Sequence, residues 1–297
     1  MAPLTVMPKN WKDFLRCDEN KTELFSFLTR EAILLPVAQG KELYATDGTG
    51  VLCSPADSCV ACLAPCLQEE ADTRLLLHVA DAVQKGCRKV TIRTVDTDVV
   101  VLAVASFSKI APDELWVAFG VGPSFRFIAI HQIIATMTTA KCLTLPVFHA
   151  FTGCDTVSAF AGRGKKTAWE TWKSFPEVTD ALQELLAMPS EVSEGSRSLM
   201  ERFVVLMYDR TSECMKVNDA RKHLFSQSPG LWRTSLQPRL PLKSTSSGLA
   251  FRPTCGTSHW SWIRRYQSHL TGAGQKNPLG GSHSGQLSLK QQNLAMS

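Results

Sequence analysis

Apolar residues recur at helical spacing where the chain opens. NWKDFLRCDENKTELFSFLTREA carries Trp11, Phe14 and Leu15, then Leu24, Phe25, Phe27 and Leu28. With Asn10 and Asp18 as candidate N-caps, this predicts helix over 10–35. KELYATDGTGVLC (41–53) places two short runs around Asp47-Gly48 and predicts a hairpin. From 69 the pattern alternates between helix and strand. EEADTRLLLHVADAVQKG (69–86) has acids in its first turn and a glycine at its end, so it predicts a helix. RKVTIRTV (88–95) predicts a strand and DTDVVVLAVASFSK (96–109) a helix. LWVAFG and SFRFIAI predict a β-pair, and HQIIATMTT a short helix. Helical patterns follow at 143–152, 165–174, 177–187, 194–209 and 217–226. A helix leading into a strand within this order predicts an α/β fold with a mainly parallel sheet flanked by helices.

Composition changes this picture mainly at the C-terminus. Of 297 residues, 44% are hydrophobic and 20% charged, which is enough apolar surface for a packed core. The net charge is +5, yet residues 227–297 hold eight of the 32 basic side chains and none of the 27 acidic ones. The first 226 residues are therefore mildly acidic, and basicity does not mark them as nucleic-acid binding. The tail is rich in Ser, Pro, Gly and Gln, without a steady period, and predicts disorder. SHWSWIRRYQSHL (258–270) is a candidate local helix within it. The expected organisation is 1–68 (helices, hairpin and a Cys-containing loop), 69–226 (α/β core and helical region) and 227–297 (basic tail). The longest apolar run, VVVLAVA (99–105), is far too short to span a bilayer, and the first residues do not read as a signal peptide. Ten irregularly spaced cysteines then suggest reduced thiols, hence a nuclear or cytoplasmic protein and no membrane partner.

Three acidic clusters carry the candidate chemistry. Glu69, Glu70 and Asp72 open a helix, where acids offset the helix dipole by ~0.3–1 kcal/mol each. Asp96 and Asp98 directly follow TIRTV, at the carboxyl end of a strand where α/β sheets open their ligand crevices. Asp155 lies in Gly153-Cys154-Asp155-Thr156. Taken alone, Asp98 and Asp155 each read as a helix cap. Together, carboxylates converging over one sheet edge would repel one another unless cations filled the site. An all-oxygen site suits Mg²⁺ or Mn²⁺. Two such ions ~3.5–4 Å apart activate a water and stabilise the leaving oxygen of a phosphodiester.

Here the sequence resembles a known family. Glu70-Ala71-Asp72 looks like the Glu-Ala-Glu of flap-endonuclease-type nucleases in the PIN-like superfamily, and Asp96-Thr97-Asp98 like their Asp-x-Asp. Gly153-Cys154-Asp155 resembles their Gly-Cys/Ser-Asp-Tyr, with Thr156 in place of the aromatic residue. Gly162-Arg163-Gly164-Lys165-Lys166-Thr167-Ala168 resembles the Gly-x-Gly-x-Lys-x-Ala of their helix–hairpin–helix. The segments QEEADTR, DTDV and HAFTGCDT…GKKTAW look like those of a multi-copy animal branch. The resemblance covers about 10–226. It implies that Glu70, Asp72, Asp96, Asp98 and Asp155 hold two divalent ions, with Asp96, Asp98 and Asp155 closest to the chemistry. It implies hydrolysis of DNA or RNA, with Gly162, Arg163, Gly164, Lys165 and Lys166 gripping backbone phosphates. Glycines that allow close backbone approach and a following helix N-terminus favour anions independently of that likeness. The family pattern also has an N-terminal strand ending in Asp, which Asp47 does not clearly replace. A sheet lacking that strand would expose an edge, and the domain would then be a truncated or inactive binding module.

Other readings compete. A nucleotide P-loop at Gly164-Lys165 fails, because Ala159 stands where glycine is needed and Lys166 where Ser or Thr is needed. In a haloacid-dehalogenase-like phosphatase Asp96 would be the nucleophile and Asp98 the general acid/base, but that leaves the other motifs unused. Cys53, Cys59, Cys62 and Cys66 contain one CxxC, and their irregular outer spacing disfavours zinc. His78 and His149 fall within helical patterns and read as packed or hydrogen-bonded. Trp169 and Trp172, three residues apart, read as anchors for the helix after the hairpin.

Overall fold

The computed structural model of the chain describes residues 8–66, 71–153, 160, 162–188, 191–227, 242–245 and 248–251. The predicted first helix forms in two pieces, α1 (Trp11–Phe14) and α2 (Asp18–Ile33). Asn10 caps α1, its Oδ1 accepting from the N–H groups of Lys12 and Asp13 at 3.1 and 3.3 Å. Asp18 is not a cap. Cys17 takes that position, and Asp18 becomes the first helical residue, where its charge faces the positive end of the dipole and pairs with Lys21 at 2.8 Å.

The hairpin forms as β1 (Leu43–Asp47) and β2 (Gly50–Ser54), with Gly48 at φ +57° supplying the left-handed turn. A polar stripe on α3 (Ala71–Gln84) and the residue after it holds the hairpin down. Arg74 donates to the carbonyls of Gly48 at 2.7 Å and Cys66 at 2.9 Å. His78 Nε2 lies 3.1 Å from Thr46 Oγ1. Lys85 Nζ donates to Tyr44 Oη, the Cys59 carbonyl and Asp81 Oδ2, each at 2.8 Å. Residues spaced three and four apart share a helix face, so one side of α3 supplies the whole clamp.

The sheet corrects the expectation of a mainly parallel arrangement. Strands β3 (Lys89–Thr94), β4 (Glu114–Phe119) and β5 (Arg126–Ala129) lie in that order. β3 and β4 are parallel across α4 (Thr97–Ile110), whereas β4 and β5 are antiparallel. The link between β4 and β5 is only 120–125, and a parallel crossover needs about a dozen residues or more. That link contains a single 3₁₀ turn at Gly122–Ser124. Among the described residues no strand pairs with the outer edge of β3. Alternation along the strands buries Ile92, Leu115 and Val117 on one face and leaves Lys89, Thr91 and Arg93 exposed on the other.

The helical remainder consists of α5 (Ile130–Ala135), α6 (Thr139–Phe151), α7 (Lys165–Ser174), α8 (Val178–Ala187), α9 (Glu194–Tyr208) and α10 (Val217–Gln227). α4 packs against α3, α5 and α6, and α8 against α6 and α9, which joins sheet and helices in one core. Trp172 is fully buried, stacked on Phe148 at 4.4 Å with Trp169 edge-on, and its indole N–H reaches Thr179 Oγ1 at 2.9 Å. The two tryptophans thus anchor α7 as their spacing predicted. Within the tail, β6 (Leu242–Thr245) and β7 (Gly248–Phe251) pair antiparallel. The helix expected at 258–270 lies outside the described residues, as does nearly all of the expected disorder.

Candidate functional site at the end of strand β3

Two aspartates stand where β3 gives way to α4. Asp96 is the N-cap of α4, and its Oδ1 accepts the N–H of Asp98 at 2.8 Å. Its own N–H donates to Thr94 Oγ1 at 3.0 Å, which fixes the turn from both sides. Asp96 is exposed, while Asp98 in the first helical turn is half-buried.

A hydrogen bond across the core orients Asp98. Its Oδ1 lies 2.9 Å from Nε2 of His149, in the last turn of α6. The His149 carbonyl in turn accepts from Lys165 Nζ at 2.9 Å, and Lys165 also reaches Thr152 Oγ1 at 3.4 Å. This relay joins the start of α4, the end of α6 and the start of α7. The end of α6 leads into Gly153 (φ +99°), the last described residue before Cys154-Asp155. His149 was legible in the sequence as a packed or hydrogen-bonded histidine, but its partner was not. Its one hint was its place four residues ahead of the Gly-Cys-Asp motif.

The predicted acids divide unevenly. Asp96 and Asp98 stand together at the strand end, and Asp72 is half-buried in the first turn of α3. Glu70 and Asp155 lie outside the described residues. Among the described residues no three His, Cys, Asp or Glu side chains gather closely enough to hold a metal ion. The carboxylate oxygens of Asp96 and Asp98 are donors of the kind that suit a hard cation such as Mg²⁺ or Mn²⁺. Asp96 and Asp98 are the residues that would hold it. The described cysteines form no disulfide with one another, and Cys53 Sγ donates to the carbonyls of Ala56 and Ser58, at 3.8 and 3.6 Å.

The Gly-x-Gly-x-Lys segment divides as well. Gly162 has φ +68°, and Gly164 caps α7 without a side-chain hydrogen bond. A Cβ added at either glycine meets nothing within 4 Å, so both backbones are open to an approaching group. Arg163 is turned inward. Its Nη2 donates to the Tyr208 carbonyl at 3.0 Å, and its guanidinium lies 5.4 Å from the Tyr208 ring centroid. Arg163 and Lys165, both expected to grip phosphate, thus hold the carbonyl ends of α9 and α6, where cations offset the helix dipole. Lys166 is exposed on the first turn of α7.

No helix among the described residues is long and apolar enough to cross a membrane. Compared with family models, curated proteins and solved structures, the chain matches none of them.

Proposed function

We propose that this chain is a PIN-like α/β domain that hydrolyses nucleic-acid phosphodiesters with divalent cations. The observation that carries the reading is the Asp96–Asp98 turn at the carboxyl end of β3, tied through His149 to the helix that leads into Gly153-Cys154-Asp155. Bound Mg²⁺ or Mn²⁺ would activate a water and stabilise the departing oxygen. Asp96 and Asp98, with Glu70, Asp72 and Asp155, would provide the carboxylates. His149 holds Asp98 in one orientation. Gly162 and Gly164 leave backbone N–H groups accessible ahead of α7, and Lys166 adds a solvent-facing charge beside them.

A cleavage assay on flap, bubble and single-stranded substrates with Mg²⁺ or Mn²⁺ tests the reading. Asp96→Asn and Asp155→Asn are each expected to abolish cleavage. Activity that survives both substitutions, or that persists in chelator, refutes it. A second reading is a nucleic-acid- or protein-binding module that does not cut. Retained nucleic-acid binding without cleavage on any of the three substrates would select it. The phosphatase reading leaves Glu70, Asp72 and the Gly-x-Gly-x-Lys segment without a role.

A further inference from the structure

The face of the β3–β4–β5 sheet opposite the core presents aromatic rings beside cations. Strand register sets Thr91, Trp116 and Ala129 in one row and Arg93, Ala118 and Phe127 in the next, all on this face. Phe127 is 60% exposed and Phe125, just ahead of β5, 42% exposed. They meet edge to face at 5.2 Å, and the Arg93 guanidinium lies 5.2 Å from the Phe125 centroid. Arg93 is held there by bonds to the carbonyls of Thr94, Ala118 and Gly120. Trp116, half-exposed on the central strand, has Lys89 Nζ 5.8 Å from its ring.

We infer that this open sheet face is a stacking platform for single-stranded nucleic acid, with Trp116, Phe125 and Phe127 taking bases and Arg93 supplying positive potential. The inference rests on the nucleic-acid reading above and names the substrate as single-stranded. Charge favours that occupant. The acid on the face, Glu114, is already committed to Lys89 at 2.9 Å and to the Trp116 indole N–H at 2.7 Å. No Asp or Glu occurs from Leu115 to Cys154. Aromatic faces on a sheet, interleaved with cations, stack unpaired bases whatever their sequence, and duplex bases are not available for that contact. The platform also lies next to the candidate site, because Arg93 is three residues from Asp96 on the same strand end.

Binding of the full chain to labelled oligothymidylate, oligouridylate and a DNA duplex, by fluorescence anisotropy in EDTA, tests this without any cleavage. Phe127→Ala and Phe125→Ala are each expected to weaken single-strand binding about ten-fold, the scale of one lost base stack. Phe127→Tyr should bind like the wild type and Phe127→Leu like the alanine variant, because leucine keeps the apolar contact and loses the π face. Duplex binding should not change. Unchanged circular dichroism melts confirm that the variants fold. Three results overturn the inference: no single-strand binding by the wild type, Phe127→Leu binding as tightly as the wild type, or Phe127→Ala abolishing self-association in sedimentation while leaving oligonucleotide affinity intact. The last outcome would make the face a protein interface. Loss of cleavage in Asp96→Asn with binding retained bears on the active site alone, so the two proposals fail separately.

Discussion

His149 Nε2 lies 2.9 Å from Asp98 Oδ1, across 51 residues of sequence. The histidine is 11% exposed and the aspartate 26%, so solvent screens the pair only partly. Partners of this kind orient a metal-binding carboxylate and tune its affinity. His149→Ala is expected to lower Mn²⁺ affinity about 10–100-fold, measured by calorimetry, with His149→Gln recovering part of it. Equal Mn²⁺ affinity in all three proteins would remove His149 from any positioning role.

The N-terminal hairpin depends on Lys85. Its ammonium joins Asp81, Tyr44 and the Cys59 carbonyl, and Asp81 is buried. Lys85→Met keeps the aliphatic stem and removes the donors. The expected loss is about 1–3 kcal/mol, from leaving Asp81 short of a partner. Hydrogen exchange should rise in residues 43–54 while β3 and β4 stay protected. Uniform destabilisation of the whole chain would argue against a locally clamped hairpin.

Docking of the same hairpin should depend on pH. Burial pushes the pKa of His78 below its ordinary value of 6.5, against a smaller upward pull from Asp81. The folded state therefore binds this proton less readily than the unfolded state. Stability is complete above 6.5, falls as pH drops below it, and stops falling once the lowered folded-state value is passed. Urea midpoints measured from about pH 8 to pH 5 should decline for the wild type through that window. His78→Gln should flatten that segment, and an unchanged slope would show that His78 does not contribute.

Two positions test the packing that supports the site. Trp172→Ala removes the stacked ring at the centre of the helical half and should cost about 3–5 kcal/mol in chemical denaturation. A loss below ~1 kcal/mol would mean that the helices repack around the gap.

Gly120 follows β4 at φ +86°, and a Cβ there would stand 2.6 Å from the Ser124 carbonyl oxygen. Gly120→Ala is expected to lower the melting temperature by several degrees, for ~1–3 kcal/mol of strain. An unchanged melt would show that the β4–β5 turn yields freely.

Much of this chain was legible in its sequence wherever local physics decides. The helix read at 96–109, the Asp47-Gly48 turn and the strands read at 88–95 and LWVAFG form to within one residue of those bounds, since each buries its own face or satisfies its own backbone groups. The sequence offered Asp98 as the cap of α4, but the chain is still extended at Asp96, which caps instead and leaves Asp98 in the first helical turn. Asp18 misled because an acid one residue inside a helix looks the same, in sequence, as an acid at its cap.

The His149–Asp98 bond and the fate of the hairpin cations belong to the tertiary structure. The β4–β5 pair forms as read, since the link at 120–125 is too short for a parallel crossover. Arg163 and Lys165 stand in a motif that attracts phosphate, yet packing brings the carbonyl ends of α9 and α6 within 3.0 and 2.9 Å of them. Local sequence determined which helices and strands form and which residues carry charge. Which charges meet water and which close off another helix was decided by the long-range fit of the core, because those partners lie 45 and 16 residues away along the chain.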